Sequence, residues 1–335
     1  MPSQKLETES KLSMEPSSSI SPITTRSRVV LEIASELVAN PRQPLKQAKV
    51  LLREQGCGSY DWPLCLFGSS TNEGLDAVVK REAALAIINP AGPLTLAYKG
   101  SPPYSHPLPV RTVAVIPSLD QFVFAVSGDT GLARFEEIAE RRYPLKIAMR
   151  GQEDHCVHFM FAHIAAAAGF SIDNLIAWGG RIHREGSVPC KGGAQFQALE
   201  RGQVNAIFDE AADYWLNDAL AAGMRILPLS EVTLRELEAI GYRRGVLAKA
   251  TFPQLIADVL TIDFSGWPIF VHAELPDQLV EQICAALEAR KHSIPWQSEG
   301  PLPTERMCRD GADTPMDVPL HPAAERYWRS LGYLP

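Results

Sequence analysis

Charge is scarce in this 335-residue chain: Asp, Glu, Lys and Arg make up 21% of it, against 46% apolar residues, and the net charge is −7. Lys and Arg are scattered, and no basic block is longer than Arg141-Arg142 or Arg243-Arg244. That excludes a sequence-independent nucleic-acid surface and leaves small solutes as the expected partners. Apolar runs are short as well. None approaches the roughly 18 residues that span a bilayer, so the chain is not expected to cross a membrane itself. The first 27 residues are polar and rich in Ser and Pro, without the apolar stretch of a secretion leader, so no export address is visible. Six cysteines stand far apart with no C-x-x-C pair, which argues against a disulfide scaffold or a zinc knuckle. G-x-S-x-G, G-x-G-x-x-G and G-x-x-x-x-G-K-[ST] are all missing, which removes the commonest hydrolase, dinucleotide and P-loop readings.

What remains is a chain long enough to bury two cores. Residues 1–27 read as a disordered tail, and Val30, Ile33, Ala34 and Leu37 then recur at helical spacing, predicting a core helix over 28–38. Short apolar runs at 50–52, 64–67, 85–88, 110–116 and 122–126 read as buried strands. From about residue 130 the pattern alternates. Helices are expected at 133–142, 154–168, 194–201 and 211–222, with strands at 145–149 and 204–208. The chain turns extended at 259–271, then helical at 276–290 and again near 321–331. An internal echo places 79–91 on 199–211, where Arg81 meets Arg201, Ala86-Ile87 meets Ala206-Ile207 and Asn89 meets Asp209. The expected fold is α/β in two lobes with mostly parallel sheets: 28–119 plus 266–335 form the first lobe and 120–265 the second.

Ligands of open α/β sheets bind beyond the carboxyl ends of the strands, where helix N-termini also offer free N–H groups. Position alone then selects Ser69, Ser70 and Thr71 after the strand ending in Phe67, and Asn89 after the strand ending in Ile88. In the second half it selects Arg150, Asp154 and His155, and the pair Asp209-Glu210. Arg150 can grip a carboxylate bidentately, with the serines opposite, or can pair locally with Glu153 or Asp154. Asp209 and Glu210 can hold a ligand ammonium or hydroxyl, or simply complement a helix dipole. His155, His158 and His163 share a helix, but without an H-E-x-x-H motif or a third ligand they predict neither a metal nor another cofactor. Trp62, Trp178, Trp215 and Trp267 either line the cleft or fill the core.

Six blocks, SLDQFVFAVSGDTGLARFEEI, RYPLKIAMRGQ, AAGFSIDNLIAWGG, GQVNAIFDE, TIDFSGWPIFVHAELPDQLVEQI and HPAAERYWRSLG, taken in this order, resemble the TAXI family of solute-binding receptors of TRAP transporters. The likeness spans about residues 60–335. It is densest in the G-x-x-(D/N)-A-I-F strand at 202–208 and the closing H-P-x-A-x-R-Y at 321–327. It implies a type II periplasmic-binding-protein-like fold, joined by two crossing strands near 117–126 and 261–271. It also implies a small carboxylate or amino acid as ligand, a TRAP membrane permease as partner, a periplasmic location and no catalysis. The family's opening strand and Gly-Gly-x-Tyr loop are absent from their usual place; Gly56-Cys57-Gly58-Ser59-Tyr60 is similar to that loop but follows the strand at 50–52. Without an export address, two other readings stay open: a cytoplasmic enzyme acting on a carboxylate through Cys57, Cys156 or His155, and a cytoplasmic ligand sensor.

Overall fold

The computed structural model describes residues 22–39, 47–52, 62–69, 73–153 and 155–335, and within them the short apolar runs form two five-stranded sheets. Numbered along the chain, the first sheet holds β1 (Gln47–Leu52), β2 (Leu64–Ser69), β3 (Leu85–Ile87), β4 (Val110–Ile116) and the late strand β12 (Trp267–His272). Their spatial order is β1-β2-β3-β12-β4. The second sheet holds β5 (Val123–Ser127), β6 (Lys146–Met149), β7 (Arg181–Arg184), β8 (Ala206–Asp209) and β9 (Met224–Ile226), in the order β7-β6-β8-β5-β9. A small antiparallel pair, β10 (Arg244–Leu247) and β11 (Val259–Ile262), flanks it. The helices are α1 (Pro22–Ala39), α2 (Glu73–Val79), α3 (Gly92–Lys99), α4 (Glu137–Glu140), α5 (Val157–Ala167) and α6 (Ile172–Ala177). They continue with α7 (Ala194–Glu200), α8 (Ala212–Ala221), α9 (Glu231–Ile240), α10 (Asp277–Arg290), α11 (Thr304–Met307) and α12 (Pro322–Ser330).

The chain divides into two compact units, Met1–Lys46 and Gln47–Pro335. In the first, α1 forms where helical spacing predicted it but starts at Pro22, inside the segment expected to be a disordered tail. A proline suits the first helical turn, where its missing N–H has no partner to lose. Val30, Ile33 and Leu37, expected in a core, are exposed. In the second unit, β1 lies on the sheet edge with almost all its residues exposed, rather than as a buried strand.

Both sheets are mixed, where mostly parallel ones were expected; the crossing strands are the reason in each, and in the first the edge strand β1 is also antiparallel to β2. β2 and β3 are parallel, as are β6 with β7 and β6 with β8. β4 ends at the junction between the sheets, so β5 must start there and run opposite to β8, which ends there; β5 and β8 are antiparallel. β12 returns from the same junction and runs antiparallel to both β3 and β4. The two crossings are stitched together. Phe122 N–H donates to Ile262 O at 3.1 Å, Phe264 N–H to Asp120 O at 3.0 Å and Gly266 N–H to Ser118 O at 2.8 Å.

The central strands of each sheet are buried on both faces. The second sheet is sealed by an aromatic set, Phe122, Phe124, Phe135, Phe161 and Phe208, all at most 1% exposed, with the rings of Phe122 and Phe208 4.5 Å apart. Burial of this size, worth roughly 2 kcal/mol per large side chain, makes the lobe a firm frame for whatever its strand ends carry. Residues 307–328 pack on the first sheet, where Trp328 donates to Val113 O at 2.8 Å.

The internal echo is present in the backbone, shifted by one residue. After α2 the Arg81 N–H donates to Val78 O, and Glu82 and Ala83 both donate to Ala77 O. After α7 the Gly202 N–H donates to Leu199 O, and Gln203 and Val204 both donate to Ala198 O. Arg81 and Gly202 each take a positive φ, 62° and 66°. The same helix, turn and strand therefore recur 121 residues apart, and Asn89 stands at the position of Glu210 rather than of Asp209.

Candidate functional site

Three of the sequence-selected residues lie at the carboxyl ends of β6 and β8, and a fourth, His155, meets them there. Arg150 follows β6, Asp209 closes β8 and Glu210 follows it; the three are at most 7% exposed. The Arg150 guanidinium donates from Nε to both Asp209 carboxylate oxygens at 3.0 Å and from Nη2 to Asp209 Oδ1. Nη2 also lies 3.3 Å from Glu210 Oε1, and Nη1 is 3.0 Å from His155 Nε2. His155 Nε2 is in turn 3.4 Å from Glu210 Oε1. Arg150 thus pairs with neither Glu153 nor an open cleft: its fork is filled by a carboxylate 59 residues away. A buried ion pair seldom adds net stability over an apolar packing, which makes this cluster the candidate site.

Asp120, on the first crossing, was not selected from the sequence. Its carboxylate accepts from Gln121 N–H at 2.7 Å, Ala211 N–H at 2.7 Å and Ala212 N–H at 3.3 Å. It therefore caps α8 from outside the helix and covers the amides that were expected to greet a ligand anion. Ala211 adopts φ 62°, a left-handed backbone unusual for a residue with a side chain, and the Trp215 indole donates to Glu210 O at 2.8 Å. Trp215 is thereby a core residue holding the loop rather than a cleft wall. The only hint of Asp120 in the sequence is its place, an acid between two apolar strands at the crossing.

Two buried carboxylates, Asp209 and Glu210, share one guanidinium here, and the half-buried Asp120 stands beside them. Burial raises Asp120 to about 7, against the pull of the three amides. Burial also raises Glu210 to about 8, with Arg150 pulling it down and Asp120 and Asp209 pushing it up. Cys156 is buried, and burial with Glu210 nearby holds its thiol well above the ordinary range. Its Sγ donates to Asn89 O at 3.2 Å, the contact that joins the end of β3 to the start of α5 across the junction. A protonated, hydrogen-bonded thiol is a poor nucleophile.

His158 and His163 turn away from the cluster. His158 Nε2 is 2.8 Å from Gln152 O and His163 Nδ1 is 2.9 Å from the Tyr242 hydroxyl. Among the described residues no group of three His, Cys, Asp or Glu is arranged to hold a metal. Ser69 ends β2; Ser70, Thr71 and Asp154, with Cys57 and the 56–60 loop, lie outside the described residues. On the flank of the junction a cavity of about 450 Å³ opens between Asp120, Tyr214, Trp296 and Arg306.

The model of the NMT1-like family matches residues 68–332, which takes in the whole second sheet, both crossings and β3, β4 and β12 of the first sheet. The chain belongs to the NMT1-like family. No curated protein matches it. Among solved structures the chain is similar to a periplasmic transporter at 15% identity and a TM-score of 0.32, over 74% of this chain and 73% of that one. It is also similar to the substrate-binding protein of an amino acid ABC transporter at 13% identity and a TM-score of 0.29, over 65% and 70%. A TctC solute-binding protein from Polaromonas aligns at 16% identity and a TM-score of 0.30, over 61% and 62%. Membership of this NMT1-like family rests on the sequence match. Among the described residues no helix is long and apolar enough to cross a membrane.

Proposed function

We propose that this protein is a solute receptor that takes one small carboxylate or amino-acid-like molecule between its two lobes and does not transform it. The observation that carries this reading is the junction itself. Strand ends of both sheets converge on it, and it holds a buried charged cluster for which stability gives no reason. Lobe 1 contributes Asn89 and the segment Ser69, Ser70 and Thr71; lobe 2 contributes Asp154, His155, Asp209 and Glu210. Arg150 then serves mainly by holding Asp209 and Glu210 in place. A solute carboxylate is met by the hydroxyls and backbone amides of the 69–71 segment, and a solute ammonium by Glu210. The resemblance read from the sequence supports a TAXI-type receptor that works with a TRAP permease outside the cytoplasm, with closure of the lobes as its signal. The buried, protonated thiol of Cys156 weighs against the enzyme reading.

The test is a thermal-shift screen against amino acids and small mono- and dicarboxylates, followed by mass spectrometry of each stabilising compound after long incubation. A receptor gives a concentration-dependent rise in Tm with the compound recovered intact. Conversion of the compound makes the protein an enzyme, and failure of every acid and amino acid to stabilise it sinks the solute reading.

A further inference from the structure

The charges of the junction do not balance. Asp209 and Glu210 face a single guanidinium, that of Arg150, all three buried, and Asp120, half-buried, adds a third acid beside them. Asp209 takes the bidentate bonds of Arg150 together with the Glu210 N–H, and Asp120 takes three backbone amides; every one of these is a donor, the arrangement a carboxylate wants. Glu210 is different. Its Oε1 touches Arg150 Nη2 and His155 Nε2 at 3.3 and 3.4 Å, and among the described residues its buried Oε2 has no hydrogen-bond partner. Four elements face it with titratable or charged groups: the end of β6 with Arg150, the approach to α5 with His155 and Cys156, β8 with Asp209 and the first crossing with Asp120. An ionised Glu210 leaves one carboxylate oxygen bare, beside two other acids and away from water, and such a state is costly.

We infer that Glu210 carries a proton in the solute-free protein and that a cationic group of the solute, ammonium or guanidinium, replaces it, so that one proton leaves for each solute bound. This rests on the solute-receptor reading and names what it adds to it: the solute bears a positive charge, and its capture is linked to pH. The exchange balances. Glu210 ionises, its proton goes to solvent, and the incoming cation restores the charge that the proton supplied. Affinity for such a solute therefore rises with pH, whereas a solute without a cation gains nothing. The burial-raised value of about 8 for Glu210 places the change in the neutral to mildly basic range.

Two measurements separate this inference from the reading beneath it. Carbon-13 carboxyl NMR of the glutamate-labelled, solute-free protein, with Glu210 assigned through Glu210→Gln, is expected to show Glu210 titrating near 8; a midpoint in the ordinary glutamate range of about 4 to 5 overturns the inference, whatever the protein binds. Calorimetry with L-arginine, L-glutamate and succinate, in buffers of different ionisation enthalpy, then reads the exchange. An ammonium-bearing solute should bind roughly eightfold more tightly at pH 8.5 than at pH 7 with close to one proton released at pH 7, and both effects should vanish in Glu210→Gln. Binding that is flat with pH in the wild-type protein overturns the exchange while the receptor reading stands. Binding of none of the three overturns the exchange together with the amino-acid reading, and the NMR midpoint still decides the proton.

Discussion

The ends of β3 and β8 are built alike and equipped differently. Each follows a helix and a turn whose hydrogen bonds match one for one, and each delivers its last residues to the junction. At the first stands Asn89, half-buried, whose carbonyl accepts the Cys156 thiol; at the second stands Glu210, buried among charges. A repeated backbone therefore places two groups on either side of one junction, and the side chains alone make one end neutral and the other charged. The cost of the charged end is offset by Arg150 from a neighbouring strand, while Asp120 from the crossing adds to it.

Removing that support should have the largest effect. Arg150→Ala leaves Asp209 and Glu210 buried without a cation and is expected to cost about 3 to 5 kcal/mol in urea unfolding. A loss below about 1 kcal/mol would mean that the second strand end needs no counter-ion and is no different from the first. Next comes the pH dependence of stability. The folded protein holds the Glu210 proton more tightly than the unfolded chain does, so this contribution is complete at acid pH and is lost as pH rises toward about 8. The wild-type protein should lose up to ~1.4 kcal/mol per pH unit through the neutral range relative to Glu210→Gln, and parallel curves for the two proteins would remove the contrast.

Asp120→Ala should cost about 1 to 2 kcal/mol by leaving the amides of Ala211 and Ala212 unpaired at the start of α8. Thermal unfolding reads it, and a neutral result would show that the crossing does not hold α8. The smallest change is expected from Asn89→Asp, which puts a carboxylate at the matching place in the first sheet. Asn89 is half-buried and reaches water, so the cost should stay below about 1 kcal/mol. A loss as large as that of Arg150→Ala would show that the two ends are equally closed to solvent.

Elements with a clean period were legible in the sequence. β4, β5, β6, β8, α8, α10 and α12 lie within a few residues of their expected places, because apolar runs and helical spacing survive without knowledge of neighbours. β7, with the sequence RIHR, and α3, with GPLTLAYK, were not legible. The first is too polar to read as a strand and pairs only because β6 offers it an edge, and the second is buried on most sides and shows no amphipathic stripe. α9 had a readable start, since the Ser230 side chain accepts from Thr233 N–H, and passed unnoticed for want of a strong apolar run. At the site, position on strand ends was enough to select Arg150, Asp209 and Glu210, yet nothing local pairs Arg150 with an acid 59 residues on, or brings Asp120 to the amides of Ala211 and Ala212.

By itself the sequence determined the class of fold, the family and the strands that end in polar residues, because composition, period and spacing are local properties. The tertiary structure alone decided that Arg150 faces inward to Asp209, that the crossings reverse the direction of one strand in each sheet, and that Glu210 has one oxygen with no hydrogen-bond partner among the described residues. These depend on which strand ends meet and on how much water reaches them, and burial changes the chemistry of a carboxylate far more than any neighbour in the sequence does.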